Sequence, residues 1–428
     1  MATIAHTWWP LAASWFLMGL ELPAVSAAMA RLPDPERSLA AYGGLVFPLA
    51  LIIESPIIML LAASTALSRD TASYRLGRRY MYGLGFTFTA LHGLVAFSPL
   101  FDLLARRVIG VPEEIIEPAR LGMRIMLPWT ISIAYRRFQQ GVLIRFGESR
   151  AVTVGTLYRL AAIVAVLGAG LAIGRWPGIV VGATAVIAGV VAEAFYSAWR
   201  VRAVVEGPLR RAGAVAPPLD SRAFLHFYLP LLVTPLFMFL TMPLASGAMS
   251  RLPRPLESLA VWPAINGFVF ALRSSGFAFN EVVVSLWDRP GAAAALKRFA
   301  LMLSACTTAA MLVLAVTPAG AFWFSRVAGL PPALAALGAA GLLVALPLPG
   351  LSALQSLHQG ALVHSRRTRG ITESMMLLLA VSAAGMAAGG LLFPAAPGLW
   401  IALAGLGAGN AAQWAWLAWR ARGVGAAA

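Results

Sequence analysis

Long apolar runs alternate with short, arginine-bearing breaks from one end of the chain to the other. A helix that crosses a bilayer needs about 20 mainly apolar residues. Twelve runs meet that length: 7–30, 38–67, 77–100, 118–146, 150–173, 177–200, 222–250, 258–287, 291–318, 331–364, 370–393 and 397–420. The pattern therefore predicts helix nearly throughout, in twelve spans. Several runs exceed the minimum, which predicts tilt or kinks. Pro23, Pro48, Pro56, Pro128, Pro230, Pro235, Pro243 and Pro347 fall inside runs. Each removes a backbone donor and bends its helix.

Composition narrows the class. Of 428 residues, 60% are hydrophobic and 12% charged, with a mean hydropathy of +0.79. Soluble domains carry roughly 25% charged residues. A soluble enzyme, a nucleic-acid-binding module and a disordered chain are excluded, and a polytopic membrane protein remains. The net charge of +16 then marks loop bias rather than a nucleic-acid partner. With the N-terminus inside, the inner loops hold most of the arginine, including Arg78, Arg79, Arg210, Arg211, Arg366, Arg367 and Arg369. Both termini are therefore expected to be cytoplasmic. The acidic residues Glu113, Glu114 and Glu117 fall in an outer loop. The first run has no basic segment before it and no small-residue cleavage site, so it reads as a retained span. Cys306 sits alone in an apolar run, and the five histidines show no metal-ligand spacing, so no metal site or cofactor is expected. No GxxxxGK[ST] motif and no catalytic constellation occur.

An internal repeat organises the whole chain. Residues 28–40 read AMARLPDPERSLA, and residues 248–260 read AMSRLPRPLESLA, an offset of 220. At that offset Pro10 meets Pro230, Pro23 meets Pro243, and Ala198-Trp199-Arg200 meets Ala418-Trp419-Arg420. With one residue of slippage Leu127-Pro128 meets Leu346-Pro347, and Gln140-Gly141 meets Gln359-Gly360. The chain reads as an all-α polytopic protein of two six-span lobes, 1–202 and 222–428, joined by a polar cytoplasmic linker at 203–221. An even span number makes the lobes parallel, related by a pseudo-twofold along the membrane normal. That is a secondary-transporter architecture. A channel would need a filter loop or a repeated acidic ring, and neither is present.

At this point the chain resembles the multidrug and toxin extrusion (MATE) group and its wider MOP superfamily, which includes lipid and polysaccharide flippases. A narrower resemblance is to the progressive-ankylosis (ANK) proteins and their bacterial homologues. It rests on Trp9-Pro10-Leu11, Leu39-Ala40-Ala41-Tyr42-Gly43, and Pro128 followed by Gln140-Gly141-Val142-Leu143-Ile144. The resemblance implies a MATE-like fold in a bacterial cytoplasmic membrane and export of small polyanions such as citrate, nucleotides or pyrophosphate. His358 has no assignable family counterpart.

Ionisable residues inside spans are costly and face a cavity or a partner. Glu54 and Arg273 lie near the middle of their runs, and the repeat makes them almost symmetry mates. They are expected either as a structural ion pair or as a switchable one, opened by an anion or a proton. Arg136 and Arg137 lie well inside run 118–146. Their stems either snorkel to the headgroups or line a wet cavity. The repeat mates are polar, since Arg136 meets Gln355 while Gln139 and Gln140 meet His358 and Gln359, which favours the cavity. Glu21 stands just before the kink at Pro23, as a proton or cation site or as a buried neutral acid. Glu193 meets Gln413 in the repeat and is expected to bond between helices. His92 is expected as a satisfied packing histidine. Tyr42 and its mate Trp262 are expected as interface anchors.

The expected function is an alternating-access exporter of small polyanions. Arg136, Arg137, Arg273, Gln140, Gln355, His358 and Gln359 would bind the anion, and Glu21 and Glu54 would couple to a proton or sodium gradient. A proton- or sodium-coupled exporter of lipophilic cations and a flippase for a lipid-linked anion are the alternatives.

Overall fold

The computed structural model describes residues 1–215, 218–365, 367 and 369–422, so Arg366 lies outside the described residues. Each apolar run is helical. The first holds α1 (Ala2–Gly19) and α2 (Glu21–Met29), broken at Leu20 just ahead of Pro23. The second holds α3 (Pro35–Ala41), a π-helical turn at Tyr42–Val46, α4 (Phe47–Glu54) and α5 (Leu60–Leu67), with Pro56 in the break. In the third, α6 (Thr71–Phe97) is followed, through an 81° bend, by α7 (Leu100–Asp102) and a π-helical turn at Leu103–Ile109. The fourth holds α8 (Ile116–Ile125) and α9 (Trp129–Arg145), divided at Pro128. Then come α10 (Ser149–Ile173), α11 (Gly178–Glu206) and the short α12 (Pro208–Arg211) of the linker.

The second half repeats the order. It runs through α13 (Ser221–Tyr228), a 3-10 turn at Leu229–Leu232, α14 (Val233–Arg251), α15 (Pro255–Leu286), α16 (Ala292–Val316) and α17 (Pro318–Phe322), which leads into a π-helical turn at Trp323–Val327. The last four are α18 (Pro332–Val344), α19 (Pro347–His364), α20 (Arg369–Leu392) and α21 (Gly398–Arg420). Among the described residues, eight helices are long and apolar enough to cross a membrane, or up to ten if each bent pair counts as one span. The two runs beyond that number, α8 with α9 and α21, carry arginine, glutamine, asparagine and tryptophan, which lower their hydropathy.

The duplication is written into the backbone. Asp34 (φ 53°) and Arg254 (φ 58°) are the two non-glycine residues with positive φ among those described. That conformation is uncommon without a glycine. Each stands before a proline that starts a helix, Pro35 and Pro255. The amides that follow also match: Gly178 donates to Pro33 O at 3.1 Å, and Gly398 to Pro253 O at 2.9 Å. Arginines close the same corner twice. Arg31 donates to Ala27 O and to the carbonyls of Arg326 and Val327, while Arg251 donates to Gly247 O and Ile109 O. At the opposite end of the halves Arg145 donates to Thr65 O at 2.9 Å, and in the second half His364 takes that place, bonding Val284 O at 3.1 Å and the Asp288 carboxylate at 2.8 Å.

The chain forms two compact units, whose main boundaries fall just after the first span of the first half, at Arg31/Leu32, and within α14 of the second, at Leu240/Thr241, rather than in the linker. One unit comprises Met1–Arg31, Ile109–Pro112 and Thr241–Ala428; the other comprises Leu32–Val108 and Glu113–Leu240. The docking of the first helices explains this. Trp8 Nε1 donates to Ser275 O at 2.8 Å, and Gly267 on α15 is needed because a Cβ there would meet the Pro23 ring at 2.8 Å. In the other unit Phe224 stacks on Tyr80 at 4.3 Å, and Tyr228 donates to Pro56 O. The acidic cluster is paired: Glu113 with Arg106, Glu114 with Arg37, and Glu117 with Arg120. The expected anchors Tyr42 and Trp262 are instead buried, at 1% and 2% exposure. Tyr42 stacks on Phe47 inside its unit, so packing rather than the interface takes up its ring.

Glycines permit close crossings at matching places. A Cβ on Gly141 would lie 1.9 Å from Ser64 Oγ and 2.4 Å from Leu61 O, and one on Gly360 would lie 2.7 Å from Val283. Gly141→Ala should force α9 away from α5 and cost about 1–3 kcal/mol, as overpacking does. Gly168→Ala, with nothing within 4 Å of its Cβ, should leave thermal stability in detergent unchanged or raised. Equal melting temperatures for the two variants would contradict the crossing.

The linker is tied down by Asp70, the N-cap of α6. Its carboxylate accepts from Val215 N at 2.9 Å and Ser73 N at 2.8 Å. These backbone donors, Val215 first, hold its pKa below the usual carboxylate value. A lowered pKa means stability that is full above the usual carboxylate range and is lost as pH falls through the lowered value. The stability difference between wild type and Asp70→Asn should thus be constant near neutrality and shrink in acid; a difference that grows in acid would refute the tether.

Candidate functional site

The polar groups inside the spans gather on corresponding helices of the two units. In the unit built on Leu32–Val108 and Glu113–Leu240, α9 is the organising helix. Trp129, Arg136 and Gln140 recur at spacings of seven and four, so one face carries all three. Trp129 Nε1 donates to Glu54 Oε2 at 2.8 Å. Arg136 Nη1 donates to Glu193 Oε2 at 2.5 Å, and Gln140 Nε2 donates to Glu193 Oε1 at 2.8 Å. Arg159 adds a third donor group, 3.7 Å from the same carboxylate. Glu193 is 1% exposed and Arg136 5%. A carboxylate so far from water persists because each oxygen meets a donor and two guanidiniums offset its charge.

Arg137 differs from its neighbour. One residue along, it points about 100° away from the Arg136 face. It is half-buried, and among the described residues no hydrogen bond or ion pair is made by its guanidinium. Glu54 and Glu193 reach it only through space. Two carboxylates against three guanidiniums leave this cluster one positive charge in excess. Beside it His92 is satisfied: Nε2 donates to Met123 O at 2.9 Å, which leaves Nδ1 to accept from the Thr130 hydroxyl at 3.3 Å.

In the other unit the same positions carry amides. Gln355 Nε2 donates to Gln413 Oε1 at 2.9 Å and to Asn410 O at 2.9 Å. Gln355 and Gln413 are the repeat mates of Arg136 and Glu193, so an ion pair in one half stands where an amide pair stands in the other. Arg273 on α15 donates to Asn410 Oδ1 at 2.9 Å and lies 5.2 Å over the Phe277 ring. Its Nε has no partner, and no carboxylate lies within ion-pair range of it among the described residues. His358 and Gln359 are half-buried on α19. Glu21 opens α2 after the break at Leu20 and is half-buried.

Most expected site residues thus fall into two polar clusters, Glu54, Arg136, Arg137 and Gln140 in one unit, and Arg273 and Gln355 in the other. Glu54 and Arg273 each have a partner within their own unit, Trp129 and Asn410. Sequence reasoning placed Glu193 between helices but did not identify it as the carboxylate for Arg136. The signal was available: its mate Gln413, at an offset of 220, and Arg136's mate Gln355, at 219 after the one-residue slippage, form a matched pair.

No family model and no curated protein matches this chain. Solved structures do. An inward-facing MATE family transporter of the MOP superfamily is 14% identical, covers 96% of both chains and gives a TM-score of 0.68. The lipid II flippase MurJ, in an inward closed conformation, is 12% identical over 96% of this chain and 87% of its own, with a TM-score of 0.74. A MOP superfamily transporter from Pyrococcus furiosus, described as having a binding pocket of reverse polarity, is 16% identical over 98% and 96%, with a TM-score of 0.62. The fold is therefore that of MATE-like transporters.

Losing one partner of a buried ion pair costs about 3–5 kcal/mol, because the other charge is stranded. Glu193→Gln and Arg136→Gln should each lower the melting temperature sharply. The double variant should recover much of that loss, since it copies the Gln355–Gln413 pair of the second half. Additive losses in a double-mutant cycle would show that the two side chains do not act together.

Proposed function

We propose that this protein is a secondary active transporter of small polyanions, working by alternating access in a bacterial cytoplasmic membrane with both termini cytoplasmic. The observation that carries the reading is the contrast between arginines. Arg136 and Arg159 share a carboxylate, whereas among the described residues Arg137 in one unit and Arg273 in the other have none within ion-pair range. A guanidinium held within a span without a direct ion-pair partner is expensive, and function is the usual reason it persists. Its planar fork matches a carboxylate or phosphate through two parallel bonds. Arg137 and Arg273 are the primary anion ligands in this reading. Gln140, Gln355, His358 and Gln359 supply neutral donors around them, and Arg136 sets the local field while paired to Glu193. Glu54, held by a single indole N–H, is the coupling carboxylate, with Glu21 at the α1–α2 break as a second candidate.

The fold likeness supports transport and leaves the cargo open. The Pyrococcus protein's reversed pocket polarity is compatible with an anionic cargo within this fold. The narrower likeness to ANK proteins points the same way. A second reading, a flippase for a lipid-linked anion, draws on the likeness to MurJ and uses the same two arginines. Export of lipophilic cations fits less well with an arginine excess.

Purified protein in proteoliposomes should move labelled citrate, ATP or pyrophosphate and not a fluorescent lipophilic cation, with rates that respond to a pH gradient. Arg137→Ala and Arg273→Ala should each cut anion flux by at least about tenfold while the protein stays folded, the usual result when one side of a charged contact is removed. Wild-type anion flux in both variants, or pH-driven cation flux alone, sinks the reading.

A further inference from the structure

A second basic cluster lies at the end of the second half, apart from the spans' interior. A cavity of about 250 Å³ opens between α19, α20 and α21, lined by Leu362, Arg367, Arg369, Gly370 and Arg420. Among the described residues its one carboxylate neighbour is Glu373, whose Oε1 accepts from Arg369 Nε at 3.0 Å and from Arg420 Nη2 at 3.1 Å. Arg367 is exposed, and its guanidinium has no hydrogen-bond or ion-pair partner among the described residues. Three arginines against one glutamate leave two positive charges in excess.

The internal repeat supplies the control. Glu148, Arg150 and Arg200 occupy the corresponding positions of the first half. There Arg200 Nη2 donates to Glu148 Oε2 at 2.9 Å, so the corner is closed by its own ion pair. The second half replaces that glutamate by Arg367. Arg420 pairs with Glu373 instead, the charge of the corner is raised, and a cavity lined by guanidiniums is found there. Depth is given by tryptophan. Arg420 lies 5.8 Å over the exposed Trp419 ring, which packs on Trp416 at 4.9 Å. Tryptophans of this kind mark the level of the lipid headgroups, where basic clusters at helix ends attract anionic lipid.

We infer that this corner binds the phosphate headgroup of an anionic phospholipid, with Arg367, Arg369 and Arg420 as its ligands and Leu362 against the glycerol end. This is independent of the transported cargo.

The test uses the full-length protein in neutral detergent, titrated with short-chain phosphatidylglycerol, phosphatidylcholine or inorganic phosphate and followed by native mass spectrometry and thermal shift. Phosphatidylglycerol should bind and raise the melting temperature, and phosphatidylcholine should do neither. Arg367→Glu restores the first half's carboxylate and should weaken phosphatidylglycerol binding about tenfold or more. Arg367→Gln serves if that variant fails to fold, and should weaken binding less. Equal binding by wild type and either folded variant overturns the site. Inorganic phosphate binding as tightly as the lipid would assign the corner to a soluble phosphate and overturn the lipid.

Discussion

A charge taken out of water inside a helical bundle must be matched at once, and Glu193 is where this protein meets that constraint. Its two oxygens hold Arg136 and Gln140 from α9 and draw Arg159 from α10 towards α11. Three helices are thereby fixed at their polar depth by a single carboxylate. The same arrangement fixes the direction of Arg137. With Arg136 turned into the Glu193 pair, its neighbour is carried to another face of the helix, where among the described residues no carboxylate lies within ion-pair range and Glu54 and Glu193 act on it only through space. The partnered arginine is thus the reason the unpartnered one is held in a defined place.

The two halves solve one packing problem with different chemistry. Gly141 and Gly360 admit equivalent crossings, and Arg31 and Arg251 close equivalent corners. Around those shared elements the polar residues diverge. Arg136 with Glu193 becomes Gln355 with Gln413, and Arg145 on a carbonyl becomes His364 on a carbonyl. Amides need no counter-charge, so the second half can carry Arg273 close to its amide pair without a competing carboxylate. Divergence after duplication has left the backbone common and placed the charge asymmetrically.

Much of this was legible in the sequence because a membrane protein has few options. Apolar length gives the spans, prolines give the breaks, and the 28–40 and 248–260 segments give the register of the repeat. The offset also paired Arg136 with Gln355 and Glu193 with Gln413 before any distance was known. Other features were hidden because they depend on tertiary choice. Glu54 and Arg273 look like partners by position, yet Trp129 and Asn410 are the groups within reach. Tyr42 has the composition of an interface anchor, and only packing against Phe47 shows it to be interior. The boundary between compact units was least visible of all. A polar, proline-rich linker suggests division there, whereas Trp8, Pro23, Phe224 and Tyr228 choose their neighbours by shape.

That exchange of first helices sets a timetable for biogenesis. Met1–Arg31 leaves the ribosome well before the helix that receives it, α15, which begins at Pro255. At synthesis rates of about 5–20 residues per second, α1 and α2 wait on the order of tens of seconds for their partner. During that interval Glu21 and the flank of Gly19 lie open to the insertion machinery, to lipid or to a chaperone. A chain stopped after its sixth span would hold a finished repeat in sequence and an unfinished unit in space, a ready substrate for membrane quality control.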